Sequence, residues 1–163
     1  MIQLCYYDSP IGTLRIITNE RSITKIQFAF DLKDSINTLE AGTPLLKETI
    51  RQLNEYFTGI RQVFSLPLDL QGTDFQLRTW KALCDIPYGE TRSYKQIAEA
   101  VGCPKGCRAV GLANNRNPIP IIIPCHRVIG INGDLTGYAG DLEVKKRLLA
   151  IEFEWKRQLT EKN

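Results

Sequence analysis

Several things are scarce in this chain of 163 residues. His126 is its only histidine, and no apolar run approaches the roughly 20 residues of a membrane span. The chain also begins without a charged segment followed by a long apolar core. The 21 basic residues barely exceed the 18 acidic ones, so nucleic-acid binding would need a local cluster of basic residues. These absences exclude a histidine-rich metal site and a membrane-spanning protein, and we expect a cytoplasmic one.

Cysteine is also sparse. The cysteines number five, which is odd, and they are too sparse in the chain for a disulfide framework. Cys103 and Cys107 lie four residues apart, but the single histidine leaves few further ligands. We therefore expect no metal site and interpret both residues as helix-packing thiols.

The first part of the chain predicts a small α+β domain, residues 1–70. Stretches rich in β-branched and aromatic residues, separated by turn-forming residues, predict an antiparallel meander over residues 2–7, 13–18 and 23–28. A helix follows, with Thr43 as N-cap and Pro44 as its first residue, and Gly59 ends it. The periodicity lapses around 66–72, where we place the domain boundary.

The second domain, residues 73–157, is predicted to be mostly helical. Its first helix, capped by Thr73, places three residues on one face: Leu77, Trp80 and Cys84. A capping box at 93–96 opens a short helix over 94–101, and another follows over 105–115. The last helix carries apolar residues four, three and four apart, at Val144, Leu148, Ile151 and Trp155.

The two short helices have the dimensions of a helix-turn-helix. The second is nearly bare, because four of its residues are glycine or alanine: Gly106, Ala109, Gly111 and Ala113. Arg108 is its long cationic residue near the start, and Lys105 and Arg116 bracket its ends. A bare helix can approach a DNA groove closely. Equally, the small residues can pack against other helices and leave Arg108 as a solvated charge, and this segment alone does not decide between the two.

A reactive group stands at the end of the apolar run that closes on Pro124, where Cys125, His126 and Arg127 follow. A thiol reacts as thiolate, and a neighbouring imidazole or a positive field lowers its pKa from about 8.5. Because adjacent residues of an extended chain point opposite ways, we expect His126 not to touch the sulfur directly and a water to bridge them. A buried structural thiol beside an ordinary histidine is the alternative.

The second half of the chain resembles the catalytic domain of the alkylguanine-DNA alkyltransferases, the methylated-DNA–protein-cysteine methyltransferases. The similarity covers about residues 73–152 in one register, and its most specific motif is 123–127. The matching segments are 87–90, 93–98, 108–111, 117–120, 121–130, 137–140 and 148–152. The first half resembles the family only loosely, through 8–12, and the resemblance implies a ribonuclease H-like domain there.

The resemblance implies a DNA repair reaction. The protein would bind double-stranded DNA containing O6-alkylguanine through the minor groove, flip the damaged base out of the stack and transfer the alkyl group irreversibly to Cys125. His126 would act as base, Glu152 would orient it, and Tyr94 would donate a proton as guanine leaves. The family also implies a monomer that needs no cofactor, metal or obligate protein partner.

Two further sets of residues follow from the resemblance. Arg108 would fill the space that the flipped base leaves, and the other DNA-binding residues would be Ser93, Lys105, Ala109 and Arg116. The substrate pocket would contain Asn117, Val128, Tyr138, Ala139 and Lys145, with the Val128 carbonyl reading the guanine amino group and Lys145 at the pocket edge. Ala139 stands where some members carry a serine, and the N-terminal zinc ligands of some relatives have no counterpart beyond Cys5.

Two other classes of protein remain as alternatives. One is a helix-turn-helix regulator that uses Cys125 as a redox sensor. The other is a thiol hydrolase, although hydrolases usually draw cysteine and histidine from distant segments. Intact mass after incubation with a methylguanine duplex separates the three classes, since only transfer adds a methyl group permanently.

Overall fold

The computed structural model describes residues 1–29, 42–135 and 142–161. The chain divides into two compact units, residues 1–70 and 71–163. None of the helices within the described ranges combines the length and apolar character needed to cross a membrane.

The N-terminal unit contains the predicted meander. Its three antiparallel strands pair in chain order: β1 (Gln3–Ser9), β2 (Gly12–Thr18) and β3 (Ile23–Phe28). β1 extends two residues beyond its predicted end because the hairpin is tight, with Ser9 paired to Gly12. Gly12 has a φ of 113°, which a glycine adopts without steric cost.

One helix, α1 (Pro44–Phe57), packs on this sheet. Thr43 caps it as predicted, since its hydroxyl accepts a hydrogen bond from the Leu46 amide at 3.2 Å. Leu46 and Leu53 are buried in the core, and Tyr7 of β1 donates a hydrogen bond to Asn54 of α1. The α+β character predicted for this part of the chain is confirmed.

The C-terminal unit is mostly helical, as predicted. Its helices are α2 (Asp74–Cys84), α3 (Tyr94–Ala100), α4 (Cys107–Asn115) and α5 (Leu142–Glu161). Two short strands, β4 (Arg92–Ser93) and β5 (Val128–Ile129), pair in parallel. The predicted capping box is present, because the Ser93 hydroxyl accepts from the Gln96 amide and the Gln96 side chain accepts from the Ser93 amide.

The predicted buried face of α2 is wrong in part. Leu77 and Cys84 are exposed, whereas Thr79, Trp80 and Leu83 form the buried face. The helix is oriented by Trp80, whose indole N–H donates to the Ala113 carbonyl of α4 at 2.9 Å. A buried indole needs such a partner, and that tertiary contact was not visible in the spacing.

The start of α4 was also predicted too early. Residues 103–106 form a turn in which the Gly106 amide donates to the Cys103 carbonyl at 2.8 Å, and the helix begins at Cys107 rather than at 105. Because the Cys103 side chain lies on this turn, it is exposed and is not the helix-packing thiol that we expected. Cys107 is partly buried.

Candidate active site

A tight turn positions the reactive cysteine. The Asn117 side chain donates to the Ile123 carbonyl at 2.7 Å and accepts from the Ile119 amide at 2.9 Å. Ile121 between them has a φ of 75°, an uncommon conformation for a β-branched residue that the surrounding contacts must hold in place. Asn117 therefore shapes the segment that leads into Cys125.

Residues Cys125–Arg127 form a short 3-10 helix, not the extended segment that we predicted. The helical turn is closed by the Arg127 amide, which donates to the Pro124 carbonyl at 3.0 Å. The argument from alternating side chains in an extended chain therefore does not apply here. Within the described ranges, however, His126 Nδ1 has no hydrogen-bond partner, so the ring makes no direct hydrogen bond to the sulfur.

Cys125 is completely buried. Burial raises the pKa of its thiol to about 11, while the Asn117 side chain and the charge of Lys145 act in the opposite direction. The Asn114 amide of α4 donates to the Cys125 carbonyl at 3.3 Å and fixes the backbone. The thiol therefore sits in a closed site in which nearby polar groups favour its thiolate form.

A buried ionic cluster surrounds Glu152 of α5. His126 Nε2 lies 2.5 Å from Glu152 Oε2. Arg127 donates to the same carboxylate through Nε at 2.8 Å and Nη2 at 3.2 Å, and the Gly89 amide adds a hydrogen bond at 3.1 Å. Burial alone would raise the pKa of Glu152, but the contacts with His126 and Arg127 outweigh it and hold that pKa well below its usual range.

These contacts define the protonation state of the histidine. Burial lowers the pKa of His126, and Glu152 counteracts this only in part, so the ring is neutral near pH 7. An ionised carboxylate can only accept hydrogen bonds, so His126 Nε2 carries the proton. The lone pair is then on Nδ1, which is the nitrogen able to accept a proton from a thiol.

Lys145 of α5 is a buried cation beside the thiol. It is fully enclosed, and its Nζ donates to the Val128 carbonyl at 2.6 Å. Burial lowers the pKa of Lys145 to about 8, and Cys125 acts against that shift. Lys145 is thus enclosed in the protein beside the thiol, and its ammonium is hydrogen-bonded to the same Val128 carbonyl that was predicted to read the guanine amino group.

Tyr94, the first residue of α3, lies between the buried site and α4. Lys145 Nζ is 5.8 Å from the centre of the Tyr94 ring. On the other side, a Cβ added to Gly111 of α4 would lie 3.9 Å from Tyr94 Cε1. The absent side chain at position 111 therefore lets the tyrosine ring lie close to the α4 backbone.

Among the predicted DNA-binding residues, Arg108 and Ala109 lie on α4, while Lys105 precedes that helix and Arg116 follows it. Ser93 ends β4 and caps α3. Arg108, Lys105, Ala109 and Arg116 are all exposed, whereas the Ser93 hydroxyl is engaged in capping α3. In the part of the chain that the structure describes, Arg108, Lys105 and Arg116 form no ion pair. The small residues of α4 fit both the packing and the DNA-groove interpretation. Ala113 is buried against the rest of the unit, whereas Ala109 is exposed and leaves the outer face of the helix bare.

Two predicted pocket residues, Tyr138 and Ala139, lie outside the described residues. Across the described ranges, no group of three or more His, Cys, Asp or Glu side chains could hold a metal ion.

Sequence reasoning missed three partners of the site. Arg127 and the Gly89 amide hold the Glu152 carboxylate, and Asn114 holds the Cys125 backbone. Arg127 stands inside the most specific motif, and this is the signal that could have identified it. Asn114 is a polar residue on the inward face of a helix, which was not recognisable before that face was known.

Comparison with known proteins identifies the family to which this chain is similar. Residues 74–154 match the DNA binding domain of 6-O-methylguanine DNA methyltransferase, and residues 3–70 match its ribonuclease-like domain. A methylated-DNA–protein-cysteine methyltransferase of Methanosarcina barkeri is 51% identical over 153 residues, which cover 90% of this chain and 96% of the relative. The constitutive enzyme of Bacillus subtilis is 52% identical over 151 residues, or 89% of this chain and 92% of the relative.

Solved structures agree with this result. The O6-methylguanine methyltransferase of Mycobacterium tuberculosis superposes with a TM-score of 0.83 at 46% identity, covering 94% of both chains. Mycobacterium tuberculosis OGT in complex with DNA gives a TM-score of 0.80 at 48% identity, covering 92% of both chains. The chain belongs to the methylated-DNA–protein-cysteine methyltransferase family of DNA repair enzymes, which confirms the resemblance and excludes the regulator and hydrolase classes.

Proposed function

We propose that this protein flips O6-alkylguanine out of duplex DNA and transfers the alkyl group irreversibly to its own Cys125, once per molecule. The observation that carries the proposal is the complete burial of the Cys125 side chain. A stacked base in a duplex cannot reach an enclosed sulfur, so the base must leave the stack and enter the protein, at a cost of a few kcal/mol.

The chemistry follows from the proton positions. The Cys125 thiol gives its proton to His126 Nδ1 through a bridging water, and the sulfur attacks the alkyl carbon. A carbon–sulfur bond forms as the bond between that carbon and guanine O6 breaks, and the electron pair leaves with guanine. Tyr94 donates a proton to the departing base, and the proton on His126 restores the tyrosine, so that the thiol proton ends on guanine.

Lys145 supports both ends of this transfer. Its ammonium faces the sulfur and lies over the Tyr94 ring, so it stabilises the thiolate and the phenolate that form in turn. The product is a thioether, and none of the groups described around the sulfur can cleave it. The reaction therefore needs no cofactor and ends after one turnover.

The α3–α4 pair is the DNA-binding part of the proposal, acting as a helix-turn-helix on the minor groove. That groove is only about 6 Å wide, so a helix with a bare outer face fits it better than one with bulky side chains. Arg108 projects from the start of α4 and is long enough to occupy the space left by the flipped base. Lys105 and Arg116, exposed and without an ion pair in the described ranges, contact phosphates. We propose that the protein acts as a monomer, without an obligate protein partner.

The test is intact mass after incubation with excess duplex containing O6-methylguanine, followed by peptide mapping. We expect a gain of one methyl group per molecule, located on Cys125. Cys125→Ala should bind the duplex and gain nothing, while Cys103→Ala, which removes an exposed thiol, should still gain one methyl group. Repeated turnover, or a methyl group on Cys103 or Cys107, would contradict the proposal.

A further inference from the structure

The Arg127 side chain is held by several partners in the buried cluster. Two of its nitrogens donate to the Glu152 carboxylate, and Nη1 donates to the Ile86 carbonyl at 2.8 Å. Its guanidinium carbon lies 5.7 Å from the centre of the Tyr88 ring. The proposed mechanism gives Arg127 no role, although Arg127 directly follows His126, the proposed general base, in the sequence.

Glu152 needs a positive partner in order to stay ionised. A carboxylate without solvent exposure is protonated unless an opposite charge compensates it. Burial lowers the pKa of His126 and disfavours its charged form, whereas Arg127 donates two hydrogen bonds to the carboxylate. The other titratable groups beside the pair in the described part of the chain include Cys125, Lys145 of α5 and Tyr88, of which Lys145 is a cation. Lys145 donates to the Val128 carbonyl, and Arg127 forms an ion pair with the carboxylate at 2.8 Å.

We propose that Arg127 is a positioning residue that sets the His126 tautomer: by keeping Glu152 ionised, it places the ring proton on Nε2 and leaves Nδ1 as the base. This rests on the proposed role of His126 in the transfer. Arg127 touches neither the sulfur nor the substrate in the proposed mechanism and acts through Glu152 and His126.

Removal of this charge changes where the protons are. Without Arg127, the His126–Glu152 pair binds one additional proton near neutral pH. If the carboxyl group takes it, the acid donates to His126 Nε2 and the ring proton moves to Nδ1. If the ring takes it, both nitrogens are protonated. In either case Nδ1 can no longer accept the thiol proton, and activity returns only when a higher pH removes the extra proton.

The first measurement is the pH dependence of transfer from free O6-methylguanine base, which avoids any effect on DNA binding. In Arg127→Met the acid limb of the rate profile should move up by roughly 1–3 pH units, the usual effect of losing an adjacent opposite charge. The variant should therefore react more slowly at pH 7 and recover as the pH rises. Arg127→Lys should keep an acid limb near that of the unchanged protein. Arg157→Met, which alters an exposed arginine of α5, is the matched control.

The second measurement is nitrogen NMR of the imidazole in ¹⁵N-labelled protein. Because His126 is the only histidine, its imidazole signals need no residue assignment, and the couplings to the carbon-bound ring protons distinguish Nδ1 from Nε2. The unchanged protein and Arg127→Lys should show a protonated Nε2 and an unprotonated Nδ1 at pH 7, and Arg127→Met should show a protonated Nδ1. This readout needs no methyl transfer, so it decides the role of Arg127 even if the proposed function fails.

Two results would overturn the inference. One is an Arg127→Met protein that reacts slowly at every pH, with an unshifted acid limb and an unchanged tautomer, since that would make Arg127 a purely structural residue. The other is a protonated Nδ1 in the unchanged protein at pH 7. If Arg127→Met does not fold, the tautomers of the unchanged protein and of Arg127→Lys decide: Nε2–H in both supports the inference, and Nδ1–H in either contradicts it.

Discussion

Methylation of Cys125 should destabilise the protein in the absence of DNA. The sulfur is fully enclosed, so an added methyl group must displace its neighbours rather than enter solvent. Those neighbours include Asn117, whose side chain hydrogen-bonds the thiol, and the Lys145 ammonium. The methyl group therefore enters a site whose walls are polar as well as closely packed.

The size of the effect can be estimated from two contributions. Extra methyl or methylene groups in a packed interior cost about 1–3 kcal/mol. Loss of the hydrogen bond from Asn117 adds about 1 kcal/mol. For a chain of this length, each kcal/mol lowers the melting midpoint by roughly 2–4 °C. The methylated protein should therefore melt at least about 4 °C lower than the free protein.

The assay compares melting midpoints before and after complete methylation by free O6-methylguanine. Cys125→Ala treated in the same way should not change, and transfer of a benzyl group should lower the midpoint further than methyl. If space were available, an additional buried methyl group would instead stabilise the fold by about 0.8 kcal/mol. An unchanged or higher midpoint would therefore refute the argument that the site has no spare volume.

Three further predictions concern Arg108, His126 and Gly111 of the C-terminal unit. Arg108→Ala should slow repair of duplex DNA far more than reaction with the free base, whereas the exposed-surface control Arg157→Ala should alter neither; equal losses on both substrates would place Arg108 in the chemistry or in folding. Since burial lowers the pKa of His126, the free-base rate should be level around pH 7 and fall only below the ordinary histidine value of about 6.5, and a rate still rising tenfold per pH unit above 7 would exclude His126 as base. Gly111→Ala should raise the free energy of unfolding by about 0.5–1 kcal/mol, because its new Cβ would meet Tyr94 at an ordinary 3.9 Å; a lower free energy of unfolding would show that the Tyr94 ring leaves no room for the methyl group.

The sequence was sufficient for features that depend on local chemistry. The Ser93 capping box, the Thr43 cap and the hairpin of the meander form between residues close in the chain, and the structure contains all of them. Features set by distant contacts were missed. The rotation of α2 depends on the bond from Trp80 to Ala113.

In the candidate site, too, features that depend on distant contacts were not predicted from the sequence. The pairing of His126 with Glu152 was implied by the resemblance, and the structure has these side chains in contact. The 3-10 helix at Cys125 was not predicted, because it follows a turn that the Asn117 side chain and Ile121 shape. The burial of Lys145 was unexpected for a physical reason, since lysine is almost never fully buried without a compensating partner.

A single short segment links the proposed DNA-binding face to the buried sulfur. Arg92 and Ser93 pair with Val128 and Ile129, which directly follow the 3-10 helix of Cys125. The next residue, Tyr94, lies against Gly111 of α4 on one side and the ammonium of Lys145 on the other. Tyr94 therefore adjoins both α4 and the cation beside the buried sulfur. In the proposed reaction, this position suits Tyr94 to donate its proton to a base that has arrived beside the sulfur.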